Sequence, residues 1–199
     1  MCVSQQRYMT SHRLIGITGH IGSGKTTASN YLTSKYFYKE KSFADPLKKI
    51  CKELFLFTDD QVYGTQDQKA SSDPNWFGCS PRTAMQFVGT ELFRNQLDKI
   101  MPGLKFDVFI HHFRLFFEST QDSIVVPDIR FENEAKIIKD LGGIIIRINR
   151  KSSDIVNYTH QSETELDNLQ TDYVIDNNGS MEELYVMLDM IVRVLGNVK

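Results

Sequence analysis

The stretch "GITGHIGSGKTT", residues 16–27, is the strongest indication of the fold of this 199-residue chain. Three glycines stand within the six positions 19–24, and a lysine and two threonines follow them at once. The apolar residues 14–18 before the turn predict a short buried strand, and residues 25–35 after it predict a helix. A strand that passes through a small-residue turn into a helix begins a βα unit, so the stretch predicts an α/β fold.

The turn from Gly19 to Thr26 matches the Walker A pattern, G-x-x-x-x-G-K-[ST]. Glycines let the backbone curl so that several N–H groups point at phosphate oxygens, and the start of the next helix adds its positive end. We expect Lys25 to reach the terminal phosphates of ATP and the Thr26 hydroxyl to ligate Mg²⁺. The expected ATP-binding residues of the turn are Gly19, His20, Ile21, Gly22, Ser23, Gly24, Lys25, Thr26 and Thr27.

Composition and charge exclude several classes of protein. A formal net charge of -2 argues against a protein that binds nucleic acid through a basic surplus. The three cysteines are widely spaced, which disfavours a zinc site or a disulfide framework. The sequence has neither a signal-like apolar segment near its start nor the roughly 20 apolar residues that cross a bilayer. We therefore expect a cytoplasmic protein with no membrane or nucleic-acid partner.

Strands and helices alternate along the chain, which predicts a five-stranded parallel sheet flanked by helices. The predicted strands are residues 14–18, 42–44, 124–126, 144–148 and 173–175. The predicted helices include 25–35, 46–55, 81–99, 106–117, 131–141 and 181–195. We expect one domain over 1–199, with a core of 13–57 and 105–199, an acceptor-binding insertion over 58–104 and a lid over 150–168.

The placement of arginines favours a kinase over a GTPase or an ATPase motor. An Asn-Lys-x-Asp motif, which reads guanine in GTPases, is absent from the sequence. Arg82, Gln86, Thr90 and Arg94 recur every four residues, so they share one face of the predicted helix and suit an anionic acceptor. Trp76 is left with two interpretations, stacking on an acceptor base or anchoring its loop on the core.

The predicted strand over 124–126 is followed by acidic and basic residues. Asp128 comes just after it and is a candidate for the metal's shell, and Arg130 lies at the same edge of the predicted sheet, where ligands bind in open α/β folds. Arg150 follows the next strand, at the base of the predicted lid.

Six segments occur in the order found in a known family: "GITGHIGSGKTT", "FADPLKK", "WFGCSPRTAMQFVGTELFR", "VVPDIRFENEA", "RINR…HQSETELD" and "DYVIDNNGSMEEL". Together they resemble the deoxynucleoside monophosphate kinases of bacteriophages and large DNA viruses, over roughly residues 13 to 190. The resemblance implies a P-loop kinase that uses ATP and Mg²⁺ to phosphorylate deoxynucleoside monophosphates. A viral source would place it in the host cytoplasm.

The resemblance also implies roles for particular residues. Arg82, Gln86 and Arg130 would contact the acceptor nucleotide, and Asp45, at the end of the second predicted strand, would help to position it. Arg150 would belong to the lid, and Lys25, Arg130 and Arg150 would be catalytic. Asn177 and Gly179 lie in a segment that resembles the loop beside the donor adenine.

Two alternatives stay open at this point. A dephospho-coenzyme A kinase shares the Ile-Gly-Ser-Gly-Lys loop and a late Asn-x-Gly-Ser segment, and there Asp45 would act as the base. A non-catalytic ATP-sensing module would need only one nucleotide pocket, and the acceptor-directed arginines count against it. A homodimer through the Phe-rich helix over 106–117 is also left open.

Overall fold

The computed structural model describes residues 14–102, 104, 108–151 and 166–197. The chain divides into two compact units, one made of Met1–Ser42 with Phe117–Lys199 and the other of Phe43–Phe116. The second unit contains the insertion predicted over 58–104 and extends beyond it on both sides. Most of the predicted lid, 152–165, lies outside the described residues.

The first unit contains a five-stranded parallel sheet, as predicted, with the order β2-β3-β1-β4-β5. Its strands are β1 (Leu14–Thr18), β2 (Lys39–Glu40), β3 (Ile124–Val126), β4 (Ile144–Asn149) and β5 (Tyr173–Asp176). β1 lies between β3 and β4 and is buried along its whole length, which explains why it reads as a continuous apolar run. The carboxyl ends of β1 and β3 are therefore neighbours in the sheet.

Helices of the first unit pack on this sheet. They are α1 (Lys25–Tyr36), α7 (Glu132–Asp140) and the final helix α8 (Met181–Asn197), and the unit also contains the end of α6 (Val108–Ser119). Apolar residues of β1, β4 and β5 form one core with α1 and α8, in which Leu32 and Leu188 are fully buried. None of the described helices is long and apolar enough to cross a bilayer.

One polar cluster joins α1 to α8. The Asp189 carboxylate on α8 accepts hydrogen bonds from the Tyr31 hydroxyl (2.8 Å), the Tyr36 hydroxyl (2.7 Å) and the Lys35 ammonium group (2.7 Å). The Tyr31 ring also stacks on Tyr185 with 4.0 Å between centroids. The cluster fixes the far end of the helix that begins at the glycine turn.

The second unit is built mainly from short helices. They are α2 (Asp45–Phe55), α3 (Asp59–Tyr63), α4 (Gln66–Ala70) and α5 (Pro81–Phe87), followed by a π-helix over Val88–Arg94, a 3₁₀ turn over Leu97–Lys99 and the start of α6. Thr58 and Gln61 form a capping box at the start of α3, and the Ser80 side chain accepts from the Thr83 N–H at the start of α5, where Pro81 is the first helical residue. Cys51, Phe57, Val62 and Val88 form the core of this unit.

The second strand was predicted at the wrong residues. Residues 42–44 form a turn into α2, and the strand that pairs with β3 is the dipeptide Lys39–Glu40. The apolar signal at 42–44 came from Phe43, whose buried ring packs 4.6 Å from that of Phe113 instead of joining the sheet. Asp45 is consequently the first residue of α2 and does not end a strand.

The helix predicted over 81–99 is continuous only as far as Phe87. Beyond it the chain widens into the π-helix, where the Asn95 N–H donates to the Thr90 carbonyl at 3.0 Å, and then tightens into the 3₁₀ turn. In an α-helix every fourth residue drifts by about 40° around the axis, and the wider π turn offsets that drift. The π-helix thus keeps Thr90 and Arg94 in line with Gln86.

Candidate active site

The glycine turn has the backbone shape that its sequence predicts. Gly19, Gly22 and Gly24 have φ of 146°, 80° and 106°, a region that other residues rarely adopt. A Cβ built on Gly24 would lie 2.5 Å from the Asn177 amide nitrogen, so only glycine lets the turn and the loop after β5 approach so closely. The Asn177 side chain also donates to the Ser23 carbonyl at 2.8 Å. Asn177 therefore braces the turn, and Gly179 lies two residues further along the same loop.

Lys25 follows the turn and begins α1. Its ammonium group donates to the carbonyls of Gly19 (2.5 Å) and His20 (3.0 Å) and lies 3.5 Å from the Asp128 carboxylate. Only 13% of the Lys25 side chain is exposed, so its charge lies close to the main chain of the turn. This position brings a cation to the phosphate-binding loop, as the motif predicts.

Asp128 and Arg130 come together at the carboxyl end of β3. The Arg130 guanidinium donates to the second Asp128 oxygen at 2.7 Å, so the carboxylate contacts both Arg130 and Lys25. The Ile129 main chain between them is anchored to β1, because its N–H donates to the Ile17 carbonyl and its carbonyl accepts from the Thr18 hydroxyl. Two cations and one carboxylate are thereby fixed beside the glycine turn.

Glu134 is a site residue that the sequence analysis missed. Its buried carboxylate accepts from the main-chain N–H groups of Arg130 (3.0 Å) and Phe131 (3.4 Å) at the start of α7. The bonds fix the backbone that carries Arg130. The spacing of four residues between Arg130 and Glu134 was the available signal, because an acid in the first turn of a helix commonly binds the N–H groups before it.

The turn also offers polar groups to a ligand. Among the described residues, the Ser23 hydroxyl is buried without a hydrogen-bond partner, which is unusual for a polar group. Thr26 is exposed at the first turn of α1 and, with Asp128, supplies the hard oxygen donors that Mg²⁺ prefers. The residues present thus fit a triphosphate and its metal ion.

A cavity of about 240 Å³ lies within the second unit. Three of the four residues predicted to share a helix face, Gln86, Thr90 and Arg94, line it together. The Arg94 guanidinium lies 5.8 Å from the centroid of the Phe109 ring, which also lines the cavity. The remaining lining residues are Ala44, Leu47, Lys48, Met85 and Gly89.

The other residues predicted to bind the acceptor lie outside that lining. Arg82 donates to the Gln66 side chain on α4. The Trp76 indole N–H donates to the Phe55 carbonyl at 2.7 Å, and its ring packs edge-on against the Phe55 ring. Burial raises the pKa of Tyr63, and the negative charge of Asp45 adds to that rise.

At the base of the predicted lid, Arg150 is exposed. The neighbouring Lys151 N–H donates to the Asn178 side chain at 2.8 Å, which ties this point to the loop that carries Asn177. Arg147, three residues before Arg150, donates to the carbonyls of Leu166 and Leu169, where the chain returns from residues 152–165. Hydrogen bonds therefore hold the described chain on both sides of residues 152–165.

Together, the sheet order, the glycine turn and the paired cations beside it define a P-loop protein of the kinase type. A family profile described as deoxynucleotide monophosphate kinase matches residues 60–188, and the chain belongs to that family. A putative deoxynucleotide monophosphate kinase of Acanthamoeba polyphaga mimivirus is 52% identical over 180 residues, which cover 86% of this chain and 92% of the relative. The resemblance found in the sequence is confirmed.

More distant relatives agree with this membership. The deoxynucleotide monophosphate kinase of Enterobacteria phage T4 is 34% identical over 119 residues, which cover 58% of this chain and 46% of the phage protein. Among solved structures, a dephospho-CoA kinase from Campylobacter jejuni has a TM-score of 0.48 at 17% identity, covering 93% of this chain and 98% of that one. A shikimate kinase from Acinetobacter baumannii has a TM-score of 0.45 at 11% identity, covering 96% and 97%. These structural likenesses are loose, and the family membership rests on sequence.

Proposed function

We propose that the protein transfers the terminal phosphoryl group of ATP to the phosphate of a deoxynucleoside monophosphate, forming ADP and the deoxynucleoside diphosphate. The main supporting observation is that Lys25, Asp128 and Arg130 lie together beside the glycine turn, in a chain that belongs to this kinase family. Family membership favours this acceptor over dephospho-coenzyme A. An ATP-sensing module would not need Arg94 and Gln86 in the lining of the cavity of the second unit.

The first unit would bind ATP. The N–H groups of residues 19–25 and the buried Ser23 hydroxyl would donate to its phosphate oxygens, and Lys25 would exchange its bonds to the Gly19 and His20 carbonyls for bonds to the terminal phosphates. Asn177 would hold the turn in shape beside the nucleotide.

Thr26 and Asp128 are the residues that would hold Mg²⁺, Thr26 directly and Asp128 through the metal's water shell. When bound, the ion would supply charge neutralisation on the phosphate oxygens. Magnesium sites on nucleotides commonly use only one or two protein oxygens beside phosphates and water, which agrees with this sparse donor set.

The second unit would bind the acceptor in its cavity, with Gln86, Thr90 and Arg94 in contact with it. Arg82, Trp76 and Asp45 stay predictions for the same role. An acceptor phosphate is already an anion at neutral pH, so the transfer needs no strong general base. The protein's contribution would be alignment of the two phosphates and neutralisation of charge by Lys25 and Arg130, with Arg150 acting from the lid.

The test is a panel of acceptors offered to the purified protein with ATP and Mg²⁺. We expect ADP formation in a coupled assay with at least one of dTMP, dGMP, dCMP and dAMP, and none with dephospho-coenzyme A. Omission of Mg²⁺ or addition of a chelator should abolish turnover. ATP binding without transfer to any nucleotide would contradict the proposal and support a sensor.

A further inference from the structure

We propose that Thr18 and Glu134 are positioning residues for phosphoryl transfer, because they hold the chain at residues 128–131 in place beside the glycine turn. This role rests on the proposed function, in which Lys25 and Arg130 neutralise charge on the transferred group. Neither Thr18 nor Glu134 belongs to the Walker A pattern or to the residues that the resemblance implies. Both bind main-chain groups of the segment, so neither needs to touch a nucleotide.

The charged groups of the site depend on where this segment lies. One oxygen of the Asp128 carboxylate lies 3.5 Å from the Lys25 ammonium group, and the other lies 2.7 Å from the Arg130 guanidinium. The side chains of Asp128 and Arg130 are 35% and 32% exposed, so burial alone does not fix them. The main chain that carries them therefore has to be fixed, because a misplacement of about 1 Å can lower a reaction rate by about 10²-fold.

Thr18 ties the segment to the strand that leads into the glycine turn. It is the last residue of β1 and fully buried, and its hydroxyl donates to the Ile129 carbonyl at 2.9 Å. The Ile129 N–H donates to the Ile17 carbonyl, also at 2.9 Å, so β1 binds both main-chain polar groups of Ile129. Because β1 runs directly into the turn at Gly19, these bonds set the position of the segment relative to the phosphate loop.

Packing holds the same residue from another side. The Ile129 side chain is fully buried, and a Cβ built on Gly16 of β1 would overlap its terminal methyl group. A glycine inside a strand commonly marks such a close approach. Gly16 precedes the Walker A pattern, which begins at Gly19 and does not require it. Its presence is thus explained by the space that Ile129 occupies.

Glu134 holds the far end of the segment. Its carboxylate is 7% exposed, and one of its oxygens accepts from the main-chain N–H groups of Arg130 (3.0 Å) and Phe131 (3.4 Å). A buried carboxylate is costly unless hydrogen-bond donors compensate it, so these N–H groups and Glu134 depend on each other. Arg130 is therefore held on both sides, by β1 through Ile129 and by α7 through Glu134.

The experiment compares Glu134→Leu with Glu132→Leu. Glu132 lies in the same first turn of α7 and is exposed, so the control removes the same charge from the same helix end. With both substrates saturating, we expect Glu134→Leu to lower kcat by about tenfold or more and to change either KM by less than about threefold. Glu134→Gln keeps an oxygen that can accept and should recover part of the loss, whereas Glu132→Leu should behave as wild type.

Thr18→Val and Thr18→Ser test the other bond. Valine keeps the shape of the threonine side chain and loses the hydroxyl, whereas serine keeps the hydroxyl. We expect kcat to fall by about threefold or more in Thr18→Val and to stay closer to wild type in Thr18→Ser. Equal kcat values for the two variants would overturn the role of Thr18.

A double-mutant cycle separates positioning from a general loss of stability. Arg130→Ala keeps the main-chain N–H that Glu134 binds and removes the guanidinium. If Glu134 acts through Arg130, then Glu134→Leu should lower kcat much less in the Arg130→Ala background than in wild type. Losses that multiply in full would overturn the proposal. Ile191→Val, which removes a methyl group from the core at α8, should lower Tm and leave kcat within about twofold.

Amide hydrogen exchange tests the segment without turnover. We expect the Arg130 and Phe131 N–H groups to exchange faster in Glu134→Leu than in wild type or in Glu132→Leu, and unchanged exchange would overturn the proposal. If the wild-type protein phosphorylates no deoxynucleotide, the proposed function fails, and this measurement still decides whether Glu134 holds the segment. If Glu134→Leu does not fold, as judged by circular dichroism, Glu134→Gln and the pair at Thr18 take its place under the same criteria.

Discussion

The two binding regions of this kinase are encoded in different ways. The phosphate loop is made of eight successive residues from Gly19 to Thr26, and each has its role by its place in the motif. The cavity proposed to bind the acceptor is assembled from α2, the helical segment after Ser80 and α6, which are separated along the chain. Its lysine and its arginine stand 46 positions apart, as their numbers Lys48 and Arg94 show.

This difference affects what a substitution does. In the loop, main-chain N–H groups and the Lys25 side chain are expected to contact the phosphates of ATP. Substitution of a glycine or of Lys25 should therefore disrupt phosphate binding or transfer. In the cavity, side chains from several elements would each contribute to binding. A single substitution there is therefore expected to change the affinity for the acceptor and to leave kcat largely unchanged. Substitutions in both regions would test this contrast.

Lys25→Ala should have the largest effect. We expect kcat to fall by about 10³-fold or more, because the variant lacks the cation that neutralises charge on the transferred group. The fold should persist, since Lys25 is not part of the hydrophobic core that α1 forms with the sheet. Steady-state kinetics and thermal unfolding would check both points.

Lys136→Ala is the matched control for that variant. Lys136 lies on α7, its side chain is 71% exposed, and it pairs with Asp140 one turn away. Its removal should leave kcat within about twofold of wild type, as is usual for a surface ion pair. A Lys25→Ala protein with full activity would refute the role given to the loop.

Gly89→Ala should have a smaller effect, confined to the acceptor. A Cβ at this position would lie 2.8 Å from a terminal methyl group of Leu47, so the Leu47 side chain, which also lines the cavity, must shift. We expect the acceptor KM to rise by up to about tenfold, equivalent to about 1.4 kcal/mol, with the KM for ATP unchanged.

A double-mutant cycle would show whether the methyl contact is the cause. In a Leu47→Ala background the terminal methyl is gone, so adding Gly89→Ala should produce little further change. If the two substitutions add in full, the effect of Gly89→Ala does not pass through Leu47, and the packing explanation is wrong.

Asp189→Asn should have the smallest effect, on stability alone. The carboxylate accepts three hydrogen bonds, one from a charged group that is itself half exposed, so we expect a loss of about 1 kcal/mol in the free energy of unfolding. Kinetic constants should change little, because the cluster is at the opposite end of α1 from Lys25. Thermal or urea unfolding gives the measurement, with Asp140→Asn as an exposed control.

The contribution of Asp189 to the free energy of unfolding should depend on pH. Burial acts to raise the pKa of Asp189, but the hydrogen bonds from Lys35, Tyr36 and Tyr31 outweigh it and lower the pKa below the ordinary value. A lowered pKa stabilises the folded state above the ordinary carboxyl pKa of about 4, and that stabilisation is lost as the pH falls through the lowered value. The difference in Tm between wild type and Asp189→Asn should therefore narrow below about pH 4. A difference that stays constant down to pH 2 would contradict this assignment.

Local patterns were sufficient for much of the first unit. The loop, its flanking strand and helix and the parallel sheet are confirmed, because contiguous residues specify them. The strand Lys39–Glu40 was missed, since it lies at the sheet edge, is exposed and has no apolar signature. Glu134 was missed although its place in the first turn of α7 was a signal, because many acids there are exposed and the burial of this one is not written in the sequence.

The second unit was harder to predict for a physical reason. A four-residue spacing placed Gln86, Thr90 and Arg94 on one face, and they do line one cavity. Lys48 joins them only through tertiary packing, and a helical pattern in one segment contains no information about another. The orientation of Trp76 likewise depends on a bond to the Phe55 main chain, 21 residues away in sequence.

The π-helix over Val88–Arg94 makes this part of the protein tolerant of the loss of one residue. An α-helix turns by about 100° per residue, so eight α-helical steps would place Arg94 about 80° around the axis from Gln86, whereas seven steps would place it within about 20°. Removal of one residue would therefore let the wide turn relax into a regular α-helix with Arg94 still on the side of the cavity. Among related sequences, this segment is therefore expected to be shortened by one residue more readily than lengthened.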